Sequence, residues 1–70
     1  MYRIFYPNGS QLSVGYRQQR NGMLEVTKTA YDKEGYYIPG ATKTETMHQY
    51  QFEIWLDMYR INSRFRVVAY

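Results

Sequence analysis

Two runs in which apolar and polar residues alternate open the chain, and an Asn-Gly turn follows each of them. The turns lie in Tyr6–Ser10 and Gln19–Met23, whose sequences are YPNGS and QRNGM. Pro7 presets a turn conformation, and glycine accepts the positive φ that closes a three-residue hairpin loop with a bulge. The first thirty residues are therefore predicted to form a three-stranded antiparallel meander.

Three-residue loops at both turns fix which side chains lie opposite one another. They pair Tyr2 with Val14, Ile4 with Leu12, Leu12 with Ala30 and Tyr16 with Val26, so the apolar residues share one face. A two-residue loop at Asn21-Gly22 would move Leu24 and Val26 to the other face, and the bulged loop is preferred. The polar face then carries Arg3, Phe5, Gln11, Ser13, Gly15, Arg17, Gln19, Glu25, Thr27, Thr29 and Tyr31.

The middle of the chain is less regular. Asp32–Gly35 reads as a turn, and Tyr36–Ile38 as a short strand stopped by Pro39-Gly40. Residues 64–70 have the β-branched and aromatic composition of a last strand.

Residues 45–61 fit a helix, with Met47, Ile54, Met58 and Ile61 as its apolar stripe. Its apolar side is widened by Phe52, Trp55, Leu56 and Tyr59. The spacings Thr42-x-x-Glu45 and Thr46-x-x-Gln49 both fit a capping box that would begin it. Strict alternation from Tyr50 to Met58 also permits a long strand. The composition of Met, Gln, Glu and Leu favours the helix, and either structure predicts that Trp55 is largely buried.

We therefore expect one small α+β domain over residues 1–70, in which an antiparallel meander carries one helix, at about 45–61, and gains a C-terminal strand. The alternative is an all-β small barrel or sandwich with residues 44–60 as a long strand. A chain of 70 residues buries little core, so marginal stability or a homo-oligomer is expected.

Length and composition exclude several function classes. The chain has no cysteine and one histidine, His48, so neither a nucleophilic triad nor a transition-metal site is indicated. Glu53 and Asp57 share a face, but a chain this small lacks the cavity that would shift their pKa values for catalysis. We expect no enzyme activity, no cofactor, no metal and no membrane segment. The absence of a signal-like start predicts a cytoplasmic protein.

The charges are segregated along the chain. Every arginine lies in residues 1–24 or 58–70, whereas every lysine and every acidic residue lies in 25–57. Arginine interleaves with aromatic residues at Tyr2–Tyr6, Tyr16-Arg17 and Arg64–Arg66. Tyrosine and arginine are the types most enriched at protein interfaces. The expected binding residues are Arg3, Phe5, Arg17, Tyr31, Arg64 and Arg66.

The leading hypothesis is a small non-enzymatic modulator that binds and inhibits a larger, intracellular, nucleic-acid-associated protein. Its acidic middle would steer it toward a basic surface. Small compact proteins are often encoded by viruses or mobile elements, so such an origin is expected, although no residue indicates it. The alternative is a small single-stranded nucleic-acid-binding protein that uses an arginine and aromatic sheet face. No motif identifies a family.

Overall fold

A computed structural model describes all residues from 1 to 70 and contains one sheet and one α-helix. The strands are β1 (Tyr2–Phe5), β2 (Gln11–Gln18), β3 (Met23–Tyr31), β4 (Tyr37–His48) and β5 (Arg66–Ala69), and the helix is α1 (Gln49–Arg60). The strands are antiparallel in the order β4-β3-β2-β1-β5. This confirms the α+β meander. Because the sheet is open and residues 49–60 are helical, the barrel or sandwich alternative is wrong.

Both hairpin registers agree with the sequence prediction. Ile4 lies opposite Leu12, and Tyr16 lies opposite Val26. In the first loop the Tyr6 N–H donates to the Ser10 carbonyl at 2.9 Å, and Gly9 has φ of +90°. The second loop is a single 3₁₀ turn over Arg20–Gly22 in which Asn21 also has positive φ.

Strand β4 is longer than predicted. Pro39 and Gly40 do not end it, because it runs from Tyr37 to His48 at the edge of the sheet. The register shifts here, since Tyr37 lies opposite Tyr31 whereas Thr42 lies opposite Thr29. The residues between them form a bulge, and an edge strand tolerates proline and bulges because one side needs no partner.

The helix begins four residues later than predicted, since residues 45–48 pair with β3. The predicted threonine caps are wrong, because Thr42 and Thr46 lie within β4. Instead His48 is the N-cap. Its Nδ1 accepts from the Tyr50 N–H at 3.1 Å, and the Gln51 side chain accepts from the His48 N–H at 3.4 Å. Imidazole thus takes the part that serine or threonine plays in most capping boxes.

The core is a single cluster between the helix and the sheet. Its buried members are Ile4, Val14, Leu24, Val26, Phe52 and Leu56, with partly buried aromatic residues around them. The predicted stripe of Ile54, Met58 and Ile61 is therefore wrong as the core-facing side, and the residues expected to widen it form that side instead. Phe52 and Leu56 face the sheet, whereas Ile54, Met58 and Ile61 are exposed. Trp55 packs against this cluster with the Lys28 ammonium 4.2 Å from its ring centre, and most of its surface is buried, as predicted.

The single helix, at 12 residues, is too short and too polar to cross a membrane.

The loop glycines provide a test of the hairpin geometry. Gly9→Ala and Gly22→Ala should each lower the free energy of unfolding by roughly 1 kcal/mol or more, because alanine resists positive φ. A Cβ at Gly22 would also lie 3.2 Å from the His48 ring. Urea unfolding measures the loss. Gly15→Ala is the control, since Gly15 lies within β2 without a positive φ; equal effects at all three positions would contradict the loop model.

The imidazole cap gives a second prediction. His48→Ala removes the acceptor and should destabilise the protein by about 1 kcal/mol, whereas His48→Asn keeps an acceptor at the N-cap and should lose less than half of that. Chemical unfolding followed by circular dichroism compares the two variants. Equal losses would mean that His48 acts through its stacking on Tyr50, whose ring centre lies 4.9 Å away, and not through the hydrogen bond.

Candidate functional site

The helix covers one face of the sheet and leaves the other uncovered. We call this uncovered side the open face. Because side chains alternate along strands, it is formed by Arg3, Phe5, Gln11, Ser13, Gly15, Arg17, Glu25, Thr27, Thr29, Tyr31, Tyr37, Thr42, Thr44, Thr46, Arg66, Val68 and Tyr70. The aromatic and arginine residues gather near the β1–β5 pair and the end of β3, and the threonines lie toward β4.

Two arginines of the open face stack on aromatic rings. The Arg3 guanidinium lies 5.6 Å from the ring centre of Tyr31 and 5.8 Å from that of Tyr70. Its Nη1 donates to the Gln11 side chain at 3.1 Å. The Arg66 guanidinium lies 4.6 Å from the centre of the Phe5 ring. Each contact is within the range of a cation–π interaction, so both side chains are held in place.

The β1–β5 pairing brings these two arginines together. Phe5 lies opposite Arg66, and Arg3 lies opposite Val68, so the two arginines occupy diagonal positions on neighbouring strands. Between them is a shallow cleft of about 290 Å³. It is lined by Arg3, Phe5, Arg66, Val68 and Tyr70, and we call it the arginine cleft.

No carboxylate forms an ion pair with either arginine of the cleft. The acidic residues outside the β3–β4 turn all lie 3.0 to 3.9 Å from a lysine or arginine that is not part of the cleft. The pairs are Glu25 with Arg17, Glu45 with Lys28 and Lys43, and Glu53 and Asp57 with Arg60. The net positive charge of the chain is therefore carried by cations without an acidic partner, and two of them line the cleft. Such a site attracts an anion from outside the molecule.

The structure brings together four of the six binding residues expected from the sequence, namely Arg3, Phe5, Tyr31 and Arg66. The other two are placed differently. Arg17 lies farther along the open face and donates to Glu25 at 3.1 Å. Arg64 precedes β5 in the turn after the helix, where its backbone N–H donates to Asn62. Neither lines the arginine cleft.

Sequence reasoning missed Tyr70 and Val68 as members of the cleft. Their alternation with Arg66 was available in the sequence, because the last strand places residues 66, 68 and 70 on one face. The Tyr70 N–H also donates to the Met1 carbonyl at 2.9 Å, which extends the β1–β5 pairing to the last residue.

Groups in and beside the cleft change the pKa of the Tyr70 hydroxyl. A hydrogen bond with Ser13, at 3.2 Å, and the neighbouring Arg3 guanidinium lower the pKa of Tyr70 from its ordinary value. Both groups favour the phenolate, the first by donating to it and the second by its charge. The Ser13 hydrogen bond is the larger of the two effects.

A second concavity of about 350 Å³ lies on the same face beside the cleft. Gly15 forms part of it and provides no side chain, and the rest of the lining is mostly polar. The Thr27 and Thr44 hydroxyls hydrogen-bond to each other across its margin at 3.1 Å. This part of the face offers hydroxyl groups rather than free charges.

The acidic pair considered for catalysis lies on the helix, on the other side of the sheet. Glu53 and Asp57 both contact Arg60, at 3.7 and 3.0 Å, and both are exposed. No three His, Asp or Glu side chains lie close enough together to hold a metal ion.

Comparisons with protein-family models, with curated proteins and with solved structures found no match to this chain.

The Tyr70 environment gives a third prediction. Ser13→Ala and Arg3→Gln should each raise the pKa of Tyr70, because each removes a group that stabilises its phenolate. NMR titration of a protein labelled at the tyrosine ring carbons measures this, with Tyr70→Phe for assignment. Thr44→Val removes a hydroxyl elsewhere on the open face and should leave that pKa unchanged. A Tyr70 pKa that responds to neither substitution in the cleft would contradict the described contacts.

Proposed function

We propose that this chain is a small non-enzymatic binding protein that docks through the open face of its sheet onto an acidic surface of a larger protein. The observation that carries the proposal is the arginine cleft, in which two ring-stacked guanidinium groups have no acidic partner. Arginine presents a planar fork of donors that matches a carboxylate. Val68 and the edges of the rings add apolar contact around the charges, as at the centre of many protein interfaces.

The contacts of the rings favour a protein over a nucleic acid. Proteins that bind single strands present uncovered aromatic faces on which successive bases stack. Here Arg66 lies over Phe5, and Arg3 lies between Tyr31 and Tyr70. The remainder of the open face carries threonine hydroxyls and the neutralised Arg17–Glu25 pair. The two unpaired arginines of the cleft are also few for binding to a phosphate backbone.

The charge of the partner is inferred from the same pairing pattern. The acidic middle of the chain was expected to steer it toward a basic surface. Most of those carboxylates are instead neutralised by cations of the same chain, and Asp32 accepts hydrogen bonds from the N–H groups of its own turn at 2.9 and 3.0 Å. The charge left for a partner is mostly arginine, and this supports an acidic partner. Association with a nucleic-acid-handling machine, and its inhibition, stay predictions from the sequence.

The fourth prediction tests the proposal with two defined probes. The ¹⁵N-labelled protein is titrated, at about 150 mM salt, with an acidic peptide such as hexaglutamate and with an oligothymidine of similar charge. We expect the peptide to shift the amide signals of β1, β5 and the end of β3, and the oligonucleotide to bind more weakly. Arg3→Gln combined with Arg66→Gln should remove the peptide response.

The matched control is Arg20→Gln. Arg20 is also exposed and forms no ion pair, but it lies in the loop at the other end of β2. Its loss lowers the net charge without touching the cleft, so the peptide response should survive. Nanomolar binding of the oligonucleotide that is lost with the two cleft arginines would favour the nucleic-acid alternative and overturn the proposal.

A further inference from the structure

The helix carries a second apolar stripe on the side that faces away from the sheet. Its four residues are Tyr50, Ile54, Met58 and Ile61, with 74, 64, 64 and 84% of their surfaces exposed. We call them the outer stripe. The spacing of four, four and three residues keeps them on one side of the helix. They lie opposite the sheet-facing Phe52 and Leu56, so the helix is apolar on two sides.

The outer stripe needs an explanation that the fold does not give. The outward side of a helix that packs on a sheet is normally polar, and clustered exposed apolar side chains mark interaction surfaces. The cleft proposed to bind a partner lies on the other side of the sheet. The stripe is therefore an independent surface.

The stripe is self-complementary when two helices lie antiparallel. With a two-fold axis near Leu56, Tyr50 of one copy lies opposite Ile61 of the other, and Ile54 lies opposite Met58. Large apolar residues thus meet along the whole length of about 18 Å, which 12 helical residues span. Such an interface is isologous and closes at two copies.

The charges beside the stripe select the same arrangement. Glu53 and Arg60 flank it on one side, and they lie nearly equidistant from Leu56 along the helix. In an antiparallel pair Glu53 of each copy therefore lies opposite Arg60 of the other. In a parallel pair this flank would instead face the opposite flank of the other helix, which carries Gln51 and Trp55, and no ion pair would form between the copies. Within each copy Arg60 already lies 3.0 Å from Asp57, 3.7 Å from Glu53 and 5.4 Å from the centre of the Tyr2 ring, so the contact between copies extends an ion-pair cluster that the single chain contains.

We propose that the chain forms a two-fold homodimer through the outer stripe, with the two helices antiparallel. The layers then run sheet, helix, helix, sheet, and both open faces point outward. Four side chains per copy bury less than the roughly 800 Å² per partner of a standard interface. The dimer is accordingly weak, with a dissociation constant on the order of 100 μM. If the proposed function holds, the dimer presents two arginine clefts and binds a repeated acidic surface with avidity.

Self-association is measured on the chain alone, so that it is independent of any partner. Analytical ultracentrifugation should show monomer at about 10 μM and mostly dimer at about 1 mM, as the proposed affinity requires. Ile54→Lys should weaken the dimer at least tenfold. Ile38→Lys is the matched control, because Ile38 is also exposed but lies on β4. Glu53→Arg and Arg60→Glu should each weaken the dimer, and the double exchange should restore it.

A spin label determines the orientation of the helices. The chain has no cysteine, so Gln49→Cys gives one labelling position. Mixed with a ¹⁵N-labelled copy, the labelled chain should broaden the signals of residues 60–62 in the other copy; broadening at 49–51 would mean a parallel pair and overturn the proposal. A chain that stays monomeric at about 1 mM, or a dimer unaffected by Ile54→Lys, would also overturn it.

Discussion

The packing of Phe52 and Leu56 on Ile4, Val14 and Val26 is the contact on which the rest of the structure depends. These five side chains are buried almost completely, and they join the helix to β1, β2 and β3. A sheet of five strands offers two faces, and one short helix can cover only one of them. The chain thus buries one face and leaves the other for the arginine and aromatic residues. The same shortage of covering elements leaves the helix exposed on its outer side.

Much of the meander could be predicted from the sequence because its determinants are local. Loop length and the two-residue period of strands fix the register of β1, β2 and β3. The junction of β4 and α1 could not be predicted in this way. Thr46, Met47 and His48 suit either structure, and their pairing with β3 depends on Glu25, Leu24 and Met23, twenty or more residues earlier. The inward side of the helix was equally undetermined, because apolar residues occur on both of its sides.

In the candidate site, too, the features that depend on local sequence were predictable, and those that depend on distant residues were not. Alternation alone placed Arg3, Phe5 and Tyr31 on one face. The predicted pairing of Tyr16 with Val26 also implies that Arg17 lies opposite Glu25, but Arg17 was expected to be a binding residue and its neutralisation was not predicted. What the sequence did not provide was the neighbour of β1. Only the pairing with β5 brings Arg66 over Phe5 and Tyr70 beside Arg3. Residues separated by more than sixty positions build the cleft, and no short motif records such a contact.

The stacking contacts bear on how such a small surface can bind. An arginine that is free in solution loses considerable side-chain entropy when it forms an ordered ion pair. Arg3 and Arg66 are already confined by rings, and Arg3 also donates to the side-chain amide oxygen of Gln11 at 3.1 Å. Part of that entropy is lost on folding rather than on association, so a carboxylate that enters the cleft meets donors close to their bound positions. Preorganisation of this kind compensates for limited area, which is the main constraint on a chain of 70 residues.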